Sequence, residues 1–177
     1  MTADSTGDPT PDADEAAGSP GERRPAARAD EAKRSLREAA RAARIATPDR
    51  DRRSAAIVET LLGMPAVVSA RRVLAYTAAG SEVDVSAFVD ACRADGREVR
   101  FPEDDGIRAD WADVVVVPGL AFTSDGRRCG QGAGWYDRFL PGRRADCVTI
   151  GVGFRTQLVD DVPTDVHDVV LDHVVTD

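Results

Sequence analysis

Hydrophobic spacing divides the chain into a polar opening stretch, two helical stretches, and then short apolar runs alternating with helical ones. Residues 1–28 hold no aliphatic side chain larger than alanine after Met1. Such a stretch buries too little apolar area to offset its ordering entropy, which predicts a disordered tail followed by one α/β domain over residues 29–177. From Asp30, read as an N-cap, D-E-A-K-R-S-L-R-E-A-A-R-A-A-R-I-A is rich in helix formers. Leu36, Ala40 and Ala43 fall on one face, and Lys33, Arg37, Arg41 and Arg44 line another. Thr47-Pro48-Asp49 breaks this helix, and a second, from Arg50 to Gly63, carries Ile57, Val58, Leu61 and Leu62 inward. A short helical turn at 66–70 then leads into a strand at 72–76.

The second half alternates more tightly. A helix over 83–94 buries Val85, Phe88, Val89 and Cys92, and a strand over 98–101 ends at Pro102. That β-α-β order predicts a parallel sheet with a right-handed crossover. Val114 to Val117 read as a strand buried on both faces, stopped by Pro118-Gly119. A polar turn at Ser124-Asp125-Gly126, two arginines, and glycines at 130, 132 and 134 follow before W-Y-D-R-F-L returns to helical spacing. Residues 147–152 read as another buried strand.

Three alternating glycines beside a helix start can expose a nest of backbone amides to a phosphate, and Arg127 and Arg128 could add charge to the same anion. Neither standard nucleotide motif is present: there is no G-x-x-x-x-G-K-[ST], and G-x-G-x-G is not G-x-G-x-x-G. The glycines by themselves are equally what a tight turn needs. Glu82 follows the loop at the carboxyl end of the first strand, where open α/β sheets bind ligands, and it also sits where a helix dipole favours a carboxylate. The basic stripe on the first helix reads by itself as a solvated face, although Lys33 is the single lysine beside 22 arginines.

Composition narrows the classes. A net charge of −8 and a pI near 4.8 argue against nucleic acid as the main partner. Cys92, Cys129 and Cys147 have neither paired nor metal-type spacing and read as reduced thiols of a cytoplasmic protein. No apolar run approaches a membrane span, and no signal-peptide region opens the chain. His167 and His173 lack zinc-type partners and read as structural.

The stretch from Asp113 to Arg138 resembles the signature of the 5-formyltetrahydrofolate cyclo-ligase (5,10-methenyltetrahydrofolate synthetase) family, approximately D-hydrophobic-V-P-G-x-A-F-D-x-x-G-x-R-L-G-x-G-x-G-Y-Y-D-R. Pro118, Gly119, Ala121, Phe122, Gly126, Arg128, Gly130, Gly132, Gly134, Tyr136, Asp137 and Arg138 stand at matching places. Cys129, Trp135 and Ala133 depart from it, replacing leucine, tyrosine, and lysine or glycine. Phe154, Gln157 and Leu158 resemble the family's F-x-x-Q-L, and the ending P-T-D-V-H-D-V-V-L-D-H-V-V-T-D resembles its P-x-x-x-H-D-x-x-x-D-x-V-x-T-E.

The resemblance implies a three-layer α/β/α sandwich with a mainly parallel central sheet (NagB/RpiA/CoA transferase-like). It implies ATP- and Mg2+-dependent cyclisation of 5-formyltetrahydrofolate to 5,10-methenyltetrahydrofolate, with release of ADP and phosphate. ATP would be held by Lys33, Arg37, Arg128, Cys129, Gly130, Gln131, Gly132, Ala133, Gly134, Trp135 and Tyr136. Arg128 and Tyr136 would act at the reacting centre, Glu82 and Trp135 would meet the reduced folate, and Asp137 and Asp168 would hold Mg2+. A monomer or weak homodimer is expected, with no nucleic-acid or membrane partner. Only the ten residues Glu103 to Ala112 join Pro102 to the next strand, where the family has a longer connection that helps enclose the pterin. A non-catalytic nucleotide- or folate-binding homologue, or an ATP-dependent enzyme with another substrate, are therefore the alternatives.

Overall fold

A computed structural model describes residues 25–165 and 168–177. The expected tail falls almost wholly outside the described residues, as does His167. Helix α1 (Pro25–Ala46) starts ahead of Asp30, so Asp30 lies inside the helix and is not its N-cap. Helices α2 (Arg50–Gly63) and α3 (Pro65–Ser69) follow, with Asp49 turning the chain at φ 51°.

Next come β1 (Arg72–Leu74), α4 (Ser86–Ala94), β2 (Glu98–Arg100) and β3 (Val114–Pro118). The two-residue strands β4 (Ala121–Phe122) and β5 (Arg128–Cys129) form an antiparallel ribbon, and α5 (Trp135–Phe139), β6 (Val148–Val152) and β7 (His173–Val175) complete the order. The helix expected over 83–94 is shorter, because the Ser86 amide donates to Asp84 Oδ1 at 2.9 Å and starts the helix there. Val83 and Val85 are still buried, in the loop.

Five strands form one parallel sheet in the order β2-β1-β3-β6-β7. The four valines of β3 alternate across it. Val114 and Val116 pack with Ile57, Leu61, Val67, Phe88 and Val89 of the α2–α4 layer, while Val115 and Val117 pack with Phe122, Leu140 and Leu171 on the opposite face, beside Trp135, Tyr136 and Phe139. Both faces are covered, as a run of apolar residues in a parallel strand requires. Helix α1 lies over the β4–β5 ribbon, with Leu36 and Ala40 against Leu120, Ala121 and Cys129. Among the described residues, no helix is long and apolar enough to cross a membrane.

Phe122 locks the ribbon to the sheet. Its ring is fully buried, and a Cβ at Gly119 or Gly151 would stand 2.5 or 2.7 Å from it. Those two glycines are therefore needed for close approach.

Candidate active site

The strand order reverses between β1 and β3, and in open α/β sheets the crevice beyond the carboxyl ends at that point receives ligands. A cavity of about 480 Å3 lies there, within the usual size of a small-molecule site. Lys33 and Arg37 enter it from α1, Glu82 from the β1–α4 loop, Gly119 from the end of β3, Arg128 and Cys129 from β5, and Asp168 from the segment before β7. Gly130, Gln131, Gly132, Ala133, Gly134, Trp135, Tyr136 and Asp137 line it as one continuous stretch. All the residues that the resemblance placed at the site thus share one cavity.

The stripe on α1 turns out differently from a solvated face. Lys33 Nζ donates to Asp168 Oδ2 at 2.7 Å, and Arg37 Nε to the Gly130 carbonyl at 3.3 Å. Arg41 is exposed, but Arg44 is 5% exposed and reaches Ser81, Glu82 and the Gly119 carbonyl. The apolar and basic stripes form one inward face. Arg127, in contrast, is directed away. It pairs with Asp125 at 3.1 Å and with Asp161, because neighbouring residues at a strand point to opposite sides.

The glycine-rich loop bends at Gly132 (φ 105°) and Gly134 (φ 63°), conformations that side chains resist. The Arg138 amide then donates to the Gly134 carbonyl at 3.2 Å to open α5. Arg128 is held within this bend. Its Nη2 donates to Asp137 Oδ1 at 2.8 Å, and its guanidinium lies 5.5 Å from the centre of the Tyr136 ring. Two buried polar atoms, Arg128 Nε and Tyr136 Oη, have no hydrogen-bond partner among the described residues. A donor buried without a partner costs on the order of 1–3 kcal/mol, so this pair fits a ligand bearing acceptor oxygens. Burial pushes the Tyr136 phenol well up against the opposing pull of Arg128, which keeps its O–H available to donate. Trp135 stacks on Phe139, with ring centres 4.4 Å apart, and meets Tyr136 edge-on at 4.8 Å. One of its faces is therefore already covered.

Asp137 and Asp168 each bond a cation through one oxygen, Asp137 Oδ1 to Arg128 and Asp168 Oδ2 to Lys33 and the Asp165 amide. Burial pushes the Asp168 carboxyl up, but Lys33 and the Asp165 amide outweigh it and hold it below its ordinary value. Among the described residues, no three His, Cys, Asp or Glu side chains gather to hold a metal unaided. Two carboxylates in one cavity suit a hard cation that takes its other oxygens from a ligand and water, so the donor set fits Mg2+ only together with an anionic ligand. The thiols fit no nucleophilic role. All three are buried and unpaired, and burial pushes the Cys129 thiol up despite the nearby Arg37, Arg128 and Lys33.

Glu82 does not start α4, so the helix dipole does not explain it. Its Oε2 accepts from the Ala79 amide at 3.0 Å, and its Oε1 from Gln131 Nε2 at 2.8 Å and Arg44 Nη1 at 3.5 Å. Gln157 lies behind this wall, 1% exposed, donating to the Gly119 and Leu120 carbonyls at 2.8 and 3.0 Å and accepting from the Phe154 amide at 2.9 Å. Arg44 is the member of this network that the helical pattern placed on a solvated stripe.

Residues 104–177 match the family model described as the 5-formyltetrahydrofolate cyclo-ligase family. A 5-formyltetrahydrofolate cyclo-ligase of Mycolicibacterium smegmatis is 45% identical over 65 residues, 37% of this chain and 34% of that protein. The mouse protein of the same name is 35% identical over 66 residues, 35% of this chain and 32% of its own length. The matched stretches thus span about a third of the curated relatives. Two solved structures cover more. The 5,10-methenyltetrahydrofolate synthetase of Mycoplasma pneumoniae superposes with a TM-score of 0.72 at 21% identity, over 81% of this chain and 97% of its own. That of Aquifex aeolicus gives 0.71 at 24%, over 81% and 89%. The α/β fold expected for the chain is therefore the one it has.

Proposed function

We propose, from the match of residues 104–177 to the 5-formyltetrahydrofolate cyclo-ligase family model, that the chain catalyses the ATP- and Mg2+-dependent cyclisation of 5-formyltetrahydrofolate to 5,10-methenyltetrahydrofolate, releasing ADP and phosphate. In this reaction the formyl oxygen takes the γ-phosphoryl group, N10 closes on the formyl carbon, and phosphate leaves. One observation carries the proposal: cations from two distant segments, a glycine-rich bend and two carboxylates line a single cavity, with two buried donors on Arg128 and Tyr136 left unsatisfied among the described residues.

Phosphoryl transfer asks a protein mainly for positioning and charge stabilisation. Lys33 and Arg37 approach from α1 and Arg128 from β5, so phosphate oxygens would meet positive charge from two sides. The positive-φ glycines leave backbone amides of the bend unobstructed for the same oxygens. Mg2+ would neutralise phosphate charge, and Asp137 and Asp168 are the residues that would hold it. The Tyr136 O–H, kept protonated by burial, would donate near the reacting centre. Glu82, on the wall between the β1–α4 loop and the bend, would accept from the reduced folate. No covalent nucleophile is required.

The connection 103–112 contributes nothing to the lining of this cavity, which supports a phosphate side that does not depend on it. The test is turnover of 5-formyltetrahydrofolate with Mg-ATP by the purified chain, followed through methenyltetrahydrofolate absorbance, with a no-ATP control and Asp137→Asn. ATP-dependent product that disappears in Asp137→Asn is expected. No product from folded protein that binds Mg-ATP would overturn the substrate assignment and favour a binding role or a different acceptor.

A further inference from the structure

Arg44 has no place in the expected site, yet it is more completely enclosed than Lys33, Arg34, Arg37 and Arg41 on α1 (side chain 6% exposed). Its Nε donates to Ser81 Oγ at 3.1 Å, and its Nη1 lies 3.5 Å from Glu82 Oε1 and 3.3 Å from the Gly119 carbonyl. It therefore joins three separate elements that meet at the cavity: α1, the β1–α4 loop and the exit of β3. The Glu82 side chain is also 6% exposed, and a carboxylate that deep is stable only when paired and hydrogen-bonded. Arg44 is the cation paired with it among the described residues, and Gln131 of the glycine-rich bend shares the same oxygen at 2.8 Å.

We propose that Arg44 is a positioning residue, fixing Glu82 as an acceptor on the cavity wall and tying it through Gln131 to the glycine-rich bend. This rests on the reading above in which Glu82 meets the reduced-folate substrate. The helix supplies the spacing. Lys33 and Arg37 face the carboxylate and bend side of the cavity, and Arg44 lies seven residues beyond Arg37, about 10 Å along the axis at 1.5 Å per residue. One rigid element thus sets the distance between the anion-binding end and the acceptor end. Arg44 needs its planar fork for this, since one head group must reach a hydroxyl, a carboxylate and a carbonyl together.

The test is a double-mutant cycle on the full chain with Arg44→Gln and Glu82→Gln, reading KM and kcat for 5-formyltetrahydrofolate. Losing one hydrogen-bonded charge partner predicts a rise of about 10- to 100-fold in KM for Arg44→Gln, with kcat much less changed. If Arg44 acts through Glu82, Arg44→Gln adds less than about threefold once Glu82 is gone. Multiplying penalties would show a merely structural role and overturn the proposal. Arg44→Lys serves if Arg44→Gln fails to fold: a single ammonium cannot span the three acceptors, so an intermediate KM with the same non-additivity is expected, and a wild-type KM would overturn the proposal.

Amide hydrogen exchange on the ligand-free protein separates this from the function itself. Faster exchange in Arg44→Gln (or Arg44→Lys) at residues 79–82 and 130–132, with β3 unchanged, supports the positioning role even if no variant turns over 5-formyltetrahydrofolate. Unchanged exchange there overturns it even if the wild type is active. Absence of turnover in every variant counts against the proposed activity alone.

Discussion

Replacing Gln157 with leucine tests whether the wall behind the cavity is held by hydrogen bonds or by packing. The side chain is 1% exposed and makes three bonds: Nε2 to the Gly119 and Leu120 carbonyls at 2.8 and 3.0 Å, and Oε1 from the Phe154 amide at 2.9 Å. Leucine fills similar space and makes none of them. The Phe154 N–H then loses its partner in the interior, at about 1–3 kcal/mol, and the Leu120 carbonyl loses one at about 1 kcal/mol. The Gly119 carbonyl keeps Arg44 and loses less. Cheaper burial of the apolar side chain offsets part of this, leaving a net loss of about 3 kcal/mol. Urea unfolding should show a midpoint lower by about 1–2 M with an unchanged slope, and the melting temperature should fall by about 6–12 °C. Because Gly119 also lines the cavity, any substrate KM should rise as well. A loss below about 0.5 kcal/mol would refute the argument, since it would mean that water or shifted backbone replaces all three bonds at no cost.

Three further outcomes follow from the same geometry. Lys33→Ala removes the 2.7 Å bond to Asp168. ATP saturation kinetics should show a KM raised about tenfold or more, while the partly exposed pair contributes no more than about 1 kcal/mol to stability; unchanged ATP kinetics would take Lys33 out of the site. For Asp113, burial pushes the carboxyl up, but Arg144, the Arg71 and Arg72 amides and the Arg72 guanidinium outweigh it and hold the pKa down at about 2. That stabilisation is complete above the unfolded value near 4 and is lost as pH falls toward 2. It amounts to about 2 kcal/mol by linkage and nearer 1 after allowing for a side chain 23% exposed; denaturation curves of Asp113→Asn between pH 4 and 2 should be correspondingly flatter, and identical slopes would refute the assignment. Gly126→Ala forces φ 92° on a residue with a Cβ and drives that atom to 2.1 Å from the Leu171 carbonyl oxygen. The backbone there must move and the 2.9 Å bond from the Leu171 amide to the Gly126 carbonyl is strained, so thermal unfolding should show a loss of about 2–4 kcal/mol; wild-type melting would show that the loop moves freely.

The parts of the fold that repeat with a period were legible in the sequence. The valines of β3, the stripe of α2 and the buried positions of α4 lie where their spacing put them, because burial on two faces or one decides each residue independently of distant partners. The β4–β5 ribbon was not legible, since two-residue strands carry no period and exist here because Phe122 docks against Gly119 and Gly151. The same holds for Arg127 and Arg128, whose opposite fates depend on strand alternation that appears only once β5 is paired. Glu82 looked like a helix-start carboxylate because the Asp84 bond that delays α4 to Ser86 is a side-chain detail.

The basic face of α1 shows how a correct helix can still be misread. At about 100° per residue, Arg44 falls only about 20° around the helix from Lys33, and Arg37 about 40°, whereas Arg41 falls about 80° away. Ala40 lies about 20° to the other side of Lys33. The apolar and basic positions therefore form one continuous arc, centred near Lys33, with Arg41 at its edge: Ala40 and Arg44 are buried, Lys33 and Arg37 half-buried, and Arg41 exposed. Grouping residues by chemistry separated what geometry joins. A helix whose cations interleave with its small apolar residues is built to face an anionic interior, and the partners that make this favourable, Asp168, Glu82 and the Gly119 and Gly130 carbonyls, lie far enough along the chain that no local window contains them.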